Sequence, residues 1–94
     1  MIQEYLTYLQ KNRNYSENTI RAYATDLQGF VQYAKTKGWR WSTLTKQHID
    51  QYVASLHDHY EPKTINRRIS SLRSMLQWAM RNSYLPQNPA RFVQ

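Results

Sequence analysis

The chain has 94 residues and no cysteine, which removes disulfide staples, thiolate metal ligands and thiol nucleophiles at once. Glycine occurs only twice, at Gly29 and Gly38, too far apart for a glycine-rich loop cradling a phosphate. No apolar run approaches the ~18 residues of a membrane span. The opening stretch, Met1 to Lys11, mixes Gln, Glu and Tyr with its apolar positions, unlike the apolar segment of an export signal. With no export signal, oxidised staple or span, the expected compartment is the cytoplasm, without a membrane partner. At 11.4 kDa there is room for one small core and no second lobe.

Acidic residues are the next scarcity. There are six, against thirteen Lys and Arg, for a net charge of +7. They are also confined. Glu4, Glu17, Asp26, Asp50, Asp58 and Glu61 all precede Pro62, where they nearly balance Lys11, Arg13, Arg21, Lys35, Lys37, Arg40 and Lys46. From Pro62 onward stand Lys63, Arg67, Arg68, Arg73, Arg81 and Arg91 with no acid at all. Charge segregated in this way implies a basic face. With 40% hydrophobic and 14% aromatic residues the chain has enough core formers to fold, so it is not a basic disordered tail. A compact basic domain suits a polyanion, nucleic acid first.

What is abundant is helical periodicity, which recurs four times, while no segment alternates cleanly enough for a half-buried strand. A first helix is predicted over Ile2 to Lys11, with Ile2, Tyr5, Leu6 and Leu9 on one stripe, followed by a turn over Asn12 to Tyr15. Ser16 reads as an N-cap and Glu17 suits the positive helix end. The second helix runs from Glu17 to about Lys37, stopped by Gly38 in a left-handed conformation. Its inner stripe is Ile20, Tyr23, Ala24, Leu27, Phe30, Val31 and Ala34. Asn18, Arg21, Ala22, Thr25 and Gly29 lie opposite, mostly small or hydrogen-bonding residues, and the small ones permit close approach by something large. Trp39, Trp41 and Leu44 close a loop over the core. Thr45 caps a third helix, Lys46 to about His57, burying Ile49, Tyr52, Val53 and Leu56. The fourth starts near Pro62, a favoured first-turn proline, and ends near Asn82, with Ile65, Ile69, Leu72, Leu76, Ala79 and Met80 inward. Lys63, Arg67, Ser70, Ser74, Gln77 and Arg81 point out, with Asn66, Arg68 and Arg73 on the flanks. Tyr84 to Gln94, with two prolines, reads as an exit segment outside the core. The expected fold is all-α, a compact bundle of four helices.

Catalytic constellations are missing. In His57-Asp58-His59, alternate side chains point about 200° apart on a helix and cannot chelate together, so no metal is expected. Asp50 and Asp58 are too far apart for an acid–base pair. No serine lies in a Gly-x-Ser-x-Gly elbow. The chain on its own is not expected to be an enzyme or to need a cofactor.

Lys63-Thr64-Ile65-Asn66-Arg67-Arg68-Ile69-Ser70-Ser71-Leu72-Arg73 carries the chemistry that remains. Arg forks match guanine edges or phosphate oxygens, Asn pairs with adenine, and Ser and Thr serve phosphates. Its four cations repel one another, and a polyanion relieves that repulsion with release of counterions.

Ser16-x-Asn18-Thr19, then Tyr23, Asp26-Leu27 and Phe30, resembles the opening of the amino-terminal core-binding domain of tyrosine recombinases, the phage integrase family. Thr45-x-x-x-Ile49-x-x-Tyr52 is similar to that family's third helix. Thr64-Ile65-Asn66-Arg67-x-x-Ser70-x-Leu72-Arg73, Trp78 and Asn88-Pro89 are similar to its fourth helix and exit, although Ser83 stands where many members have glycine. The resemblance implies a SAM-like four-helix bundle forming half of a clamp on double-stranded DNA at a recombination half-site, with the second and fourth helices against the major groove. The implied division is a core-binding domain over residues 1–83 and a linker over 84–94 leading towards a separate catalytic domain, with other recombinase protomers as partners on DNA through the full-length parent. That catalytic domain carries an Arg, a His-x-x-Arg and a nucleophilic Tyr. No His-x-x-Arg occurs here, since Gln51, Tyr60 and Pro62 hold the places after His48, His57 and His59. The candidate DNA contacts are Ser16, Asn18, Thr19, Arg21 and Thr25 on the second helix, and Lys63, Thr64, Asn66, Arg67, Arg68, Ser70, Ser71, Arg73 and Ser74 on the fourth.

Two other readings use the same residues. One is a helical protein-interaction module docking an acidic partner through the basic face. The other is a single-stranded nucleic-acid binder stacking bases on Trp39, Trp41 or Trp78.

Overall fold

In a computed structural model, which describes residues 1–12 and 15–91, the chain forms four helices: α1 (Ile2–Asn12), α2 (Glu17–Lys37), α3 (Lys46–His57) and α4 (Pro62–Arg81). No strand occurs among the described residues. Parts of two sequence assignments, the turn at Arg13 and Asn14 and the end of the exit segment at Phe92 to Gln94, lie outside those residues.

The helix ends follow from local chemistry. The Ser16 hydroxyl accepts from the Thr19 amide at 3.2 Å, and Gly38 closes α2 at φ 72°, a conformation that costs glycine least. Thr45 forms a reciprocal cap with His48. Its hydroxyl accepts from the His48 amide at 3.3 Å, and the Thr45 amide donates to His48 Nδ1 at 3.1 Å, satisfying two amides at one terminus. Pro62 occupies the first turn of α4.

The long helix α4 packs against each of the other three, and α1 packs on α2. Tyr5, Leu9, Leu27, Phe30, Leu44, Ile49, Tyr52, Leu56, Ile65, Ile69, Leu72, Leu76 and Ala79 are buried as their spacing predicts, together with Met75, which the stripe over α4 omitted. The rings of Phe30 and Tyr52 meet edge-on at 5.1 Å between centroids, joining α2 to α3. Trp41 closes over Phe30 at 5.8 Å and Trp39 over Tyr33 at 5.4 Å. Trp78 lies among Tyr5, Tyr8 and Tyr84. All three indoles serve the core and its rim, so none is a free stacking platform.

The last segment departs from its reading as an exit. Leu85 and Ala90 are buried in the core, and Asn88, itself buried, ties the segment to α4. Its amide donates to the Arg73 carbonyl at 3.3 Å and to Gln77 Oε1 at 3.2 Å, while its Oδ1 accepts from the Ala90 amide at 2.9 Å. Residues 84–91 therefore fold back on the bundle and belong to its packing unit. The reversal is made at Ser83, which adopts φ 64°, a left-handed conformation that is unfavourable for a residue with a Cβ. Ser83→Gly should accordingly raise stability by about 0.5–1 kcal/mol, measured as a shift in the urea midpoint without change in slope.

Candidate functional site

Asp26 is the one acidic side chain among the described residues that is buried, at 2% exposure. A carboxylate taken from water must be paired, and α4 supplies the partners. Arg67 donates through Nε to Oδ2 at 3.1 Å and through Nη2 to Oδ1 at 2.9 Å. The Ser71 hydroxyl donates to Oδ2 at 3.0 Å. Arg68 Nε stands 4.0 Å from Oδ1, an ion pair too long for a hydrogen bond. Residues 67 and 71 lie one turn apart on the same face of α4, so they meet one target. The carboxylate holds the Arg67 guanidinium above even its ordinary pKa.

Arg68 turns inward. Its side chain is 13% exposed, and its guanidinium lies over the Tyr60 ring, 4.4 Å from the centroid. The other contact is Gly29. A Cβ built there would collide with Arg68 Nη1. Gly29, read from sequence as room for an external partner, is instead room for Arg68. Tyr52 lies beside this contact with a buried hydroxyl that has no hydrogen-bond partner among the described residues. Burial pushes its phenol above the ordinary value, against the pull of the Arg68 guanidinium.

Above Asp26 lies a shallow groove of about 230 Å³ between α2 and α4, lined by Thr19, Ala22, Tyr23, Asp26, Arg67, Ser70 and Ser71. A larger cavity of about 370 Å³ adjoins it through Tyr23 and runs along the second half of α4. It brings Arg73 and Ser74 together with Gln77, Arg81 and Arg91, and no Asp or Glu lines it. The two form one furrow whose single carboxylate, Asp26, is buried at its floor.

The predicted contacts distribute unevenly over this furrow. Thr19, Arg67 and Ser70 line the groove, and Arg73 and Ser74 line the cavity. Asn18, Lys63 and Asn66 are exposed. Arg21 is exposed and paired with Glu17 at 3.2 Å, and the Thr25 hydroxyl donates to the Arg21 carbonyl at 3.1 Å. Thr64 is half-buried, and the Ser16 hydroxyl is committed to capping and to Thr19 Oγ1. Ser71 corrects the sequence reading. It is 1% exposed with its hydroxyl on Asp26, so it stands beneath the surface and supports it. Arg68 is likewise a packed cation. The sequence reasoning omitted Asp26, Arg81 and Arg91 from the site. Arg81 already lay on the outward stripe of α4, but nothing in the local pattern marked Arg91, which arrives by the return of the last segment.

Residues 2–83 match the family model described as the phage integrase N-terminal SAM-like domain. The chain is 34% identical over 96 residues to the tyrosine recombinase XerD of Staphylococcus haemolyticus, which covers all of this chain and 32% of that protein. It is 31% identical over 97 residues to the tyrosine recombinase XerC of Pediococcus pentosaceus, again covering all of this chain and 32% of the relative. With XerC of Pseudomonas putida the identity is 30% over 91 residues, 95% of this chain and 30% of the relative. The chain thus spans about a third of the length of the curated relatives it matches. No solved structure matches it.

Removing Asp26 leaves Arg68 buried without a counter-charge, so Asp26→Ala should cost about 3–5 kcal/mol. Ser71→Ala should cost only about 1 kcal/mol, the net worth of one hydrogen bond. Urea denaturation checks both. Tyr52 predicts a pH dependence. Because its folded pKa lies above the unfolded one, the folded chain resists losing that proton, and stability falls as pH rises past about 10. Tyr52→Phe should flatten that decline, seen by repeating the denaturation across the alkaline range.

Proposed function

This chain belongs to the phage integrase N-terminal SAM-like domain family, and from that premise we propose that it is the DNA-gripping module of a tyrosine recombinase, holding duplex DNA at a recombination half-site. The observation that carries the proposal is the furrow along α2 and α4. Its walls offer Arg67, Arg73, Arg81 and Arg91 with Asn, Ser and Thr between them, while its one carboxylate is sealed beneath, and Lys63 stands exposed near the start of α4. Phosphate contacts dominate the affinity of such a surface, and side chains reaching base edges add selectivity.

Chemistry in this reading belongs to a separate catalytic part of the parent protein, and other protomers join on the DNA through it. In this reading the connection towards that part begins after residue 91, later than Ser83, since Leu85, Asn88 and Ala90 pack on the bundle. The packing of Trp39, Trp41 and Trp78 against neighbouring rings supports duplex over single-strand binding, which needs open aromatic faces.

An amide-shift NMR titration with a short duplex at low and raised salt tests the proposal. Shifts should gather on residues 17–25 and 63–81 and fade as salt rises. Lys63→Glu should weaken binding equally across duplex sequences and reduce the logarithmic salt slope by about one, the signature of a lost phosphate contact. Absence of shifts at low salt would sink the duplex reading and favour an acidic protein partner for the same face.

A further inference from the structure

We propose that Arg67 reads a base, with Asp26 and Ser71 as its positioning residues, and that its target is the pair of acceptors on a guanine edge. The inference rests on the duplex-binding reading above and deepens it.

Three features of the Arg67 environment lead there. The first is direction. Of the five N–H donors of a guanidinium, Asp26 takes one on Nε and one on Nη2. That uses the side edge of the fork and leaves the end edge, formed by Nη1 and Nη2. The end edge presents two parallel donors, the geometry that meets guanine O6 and N7. The second is rigidity. The carboxylate is buried and its Oδ2 also accepts from Ser71 at 3.0 Å, so it cannot swing, and it fixes the plane of a guanidinium whose side chain is still 55% exposed. A long side chain on a helix surface normally loses rotamer freedom when it binds, and here that ordering is already done in the free chain.

The third is charge. Asp26 offsets the positive charge of Arg67, which weakens its pull on a phosphate but leaves its directional donors intact. Lys63, exposed with no ion pair among the described residues, suits a phosphate, where charge counts more than direction. Arg67 suits a base edge. Its neighbours fit that use, since Ala22 across the groove is small and Ser70 one turn on adds a hydroxyl to the same wall.

The test begins with selection of a preferred duplex from a random-sequence pool by the wild-type chain, followed by titration of variants of that duplex changed one base pair at a time. Replacing one G·C pair should weaken wild-type binding about 5- to 150-fold. Arg67→Ala should abolish discrimination at that pair alone and keep the salt slope. Ser71→Ala should erode the same discrimination. Asp26→Asn should lose it while binding to unselected duplex strengthens and the salt slope steepens, because no neighbouring carboxylate then offsets the Arg67 charge. Circular dichroism checks folding, and if Asp26→Asn is unfolded, Ser71→Ala carries the comparison. Uniform weakening of Arg67→Ala on every duplex, with a salt slope lower by about one, would make Arg67 a phosphate contact and overturn the inference. So would discrimination unchanged in Ser71→Ala and Asp26→Asn. Failure of the wild-type chain to bind any duplex is a separate result, since it removes the duplex reading itself.

Discussion

One buried carboxylate organises the two helices that form the candidate surface. Asp26 sits on α2 at the interface with α4, and three α4 side chains answer it: Arg67 by two hydrogen bonds, Ser71 by one and Arg68 by charge. Apolar packing between two helices is tolerant of small slides, because Leu and Ile contacts have no direction. A bidentate fork and a hydroxyl on one carboxylate are not tolerant, since a shift of one residue along α4 would rotate the set by about 100° and break it. Asp26 thus fixes which residues of α2 and α4 stand side by side at the surface. For a chain of this size, with total stability of about 5–15 kcal/mol, leaving the Arg68 charge without its partner would consume much of the margin.

This arrangement also changes the meaning of the acid-free segment. Lys63, Arg67, Arg68 and Arg73 within eleven residues imply mutual repulsion that an external anion would relieve. Part of that relief is internal. Asp26 answers Arg67 and Arg68 across a separation of 41 residues and more in sequence, and Tyr60 offers its ring face to Arg68, a contact favourable to a cation in a desolvated place. The cations of α4 therefore divide by depth. Arg68 belongs to the interior, Arg67 bridges interior and surface, and Lys63 and Arg81 face outward.

Local chemistry was legible in the sequence wherever it acts within a few residues. Ser16, Gly38, Thr45 and Pro62 marked the helix ends because capping and backbone preference need only near neighbours. Apolar stripes located the core for the same reason, and the motifs that resemble the integrase family agree with the match over residues 2–83. What escaped depends on partners distant in sequence. Asp26 adjoins the stripe residue Leu27, yet a helical wheel shows no reason to bury it until Arg67 and Ser71 arrive from α4. Gly29 lies opposite the wheel's apolar face and Ser71 falls outside the apolar stripe of α4, yet both are covered where α2 meets α4, Gly29 by Arg68 and Ser71 by Asp26. The segment 84–91 is too short and too proline-rich to display a period, and its docking through Leu85, Asn88 and Ala90 is purely tertiary.

The small residues show how the same observation can carry opposite meanings. Gly29, Ala22 and Ser71 each minimise bulk where α2 and α4 meet, and bulk could be withheld for a ligand or for a neighbouring side chain. Depth decides. At Gly29 the space is already filled by Arg68 Nη1, and at Ser71 the hydroxyl is buried on Asp26. Ala22 remains exposed beside the Arg67 guanidinium and lines the open groove. Smallness at Gly29 and Ser71 therefore serves the seating of the fork, and smallness at Ala22 serves access to it. The interior contacts and the open surface are two sides of one arginine.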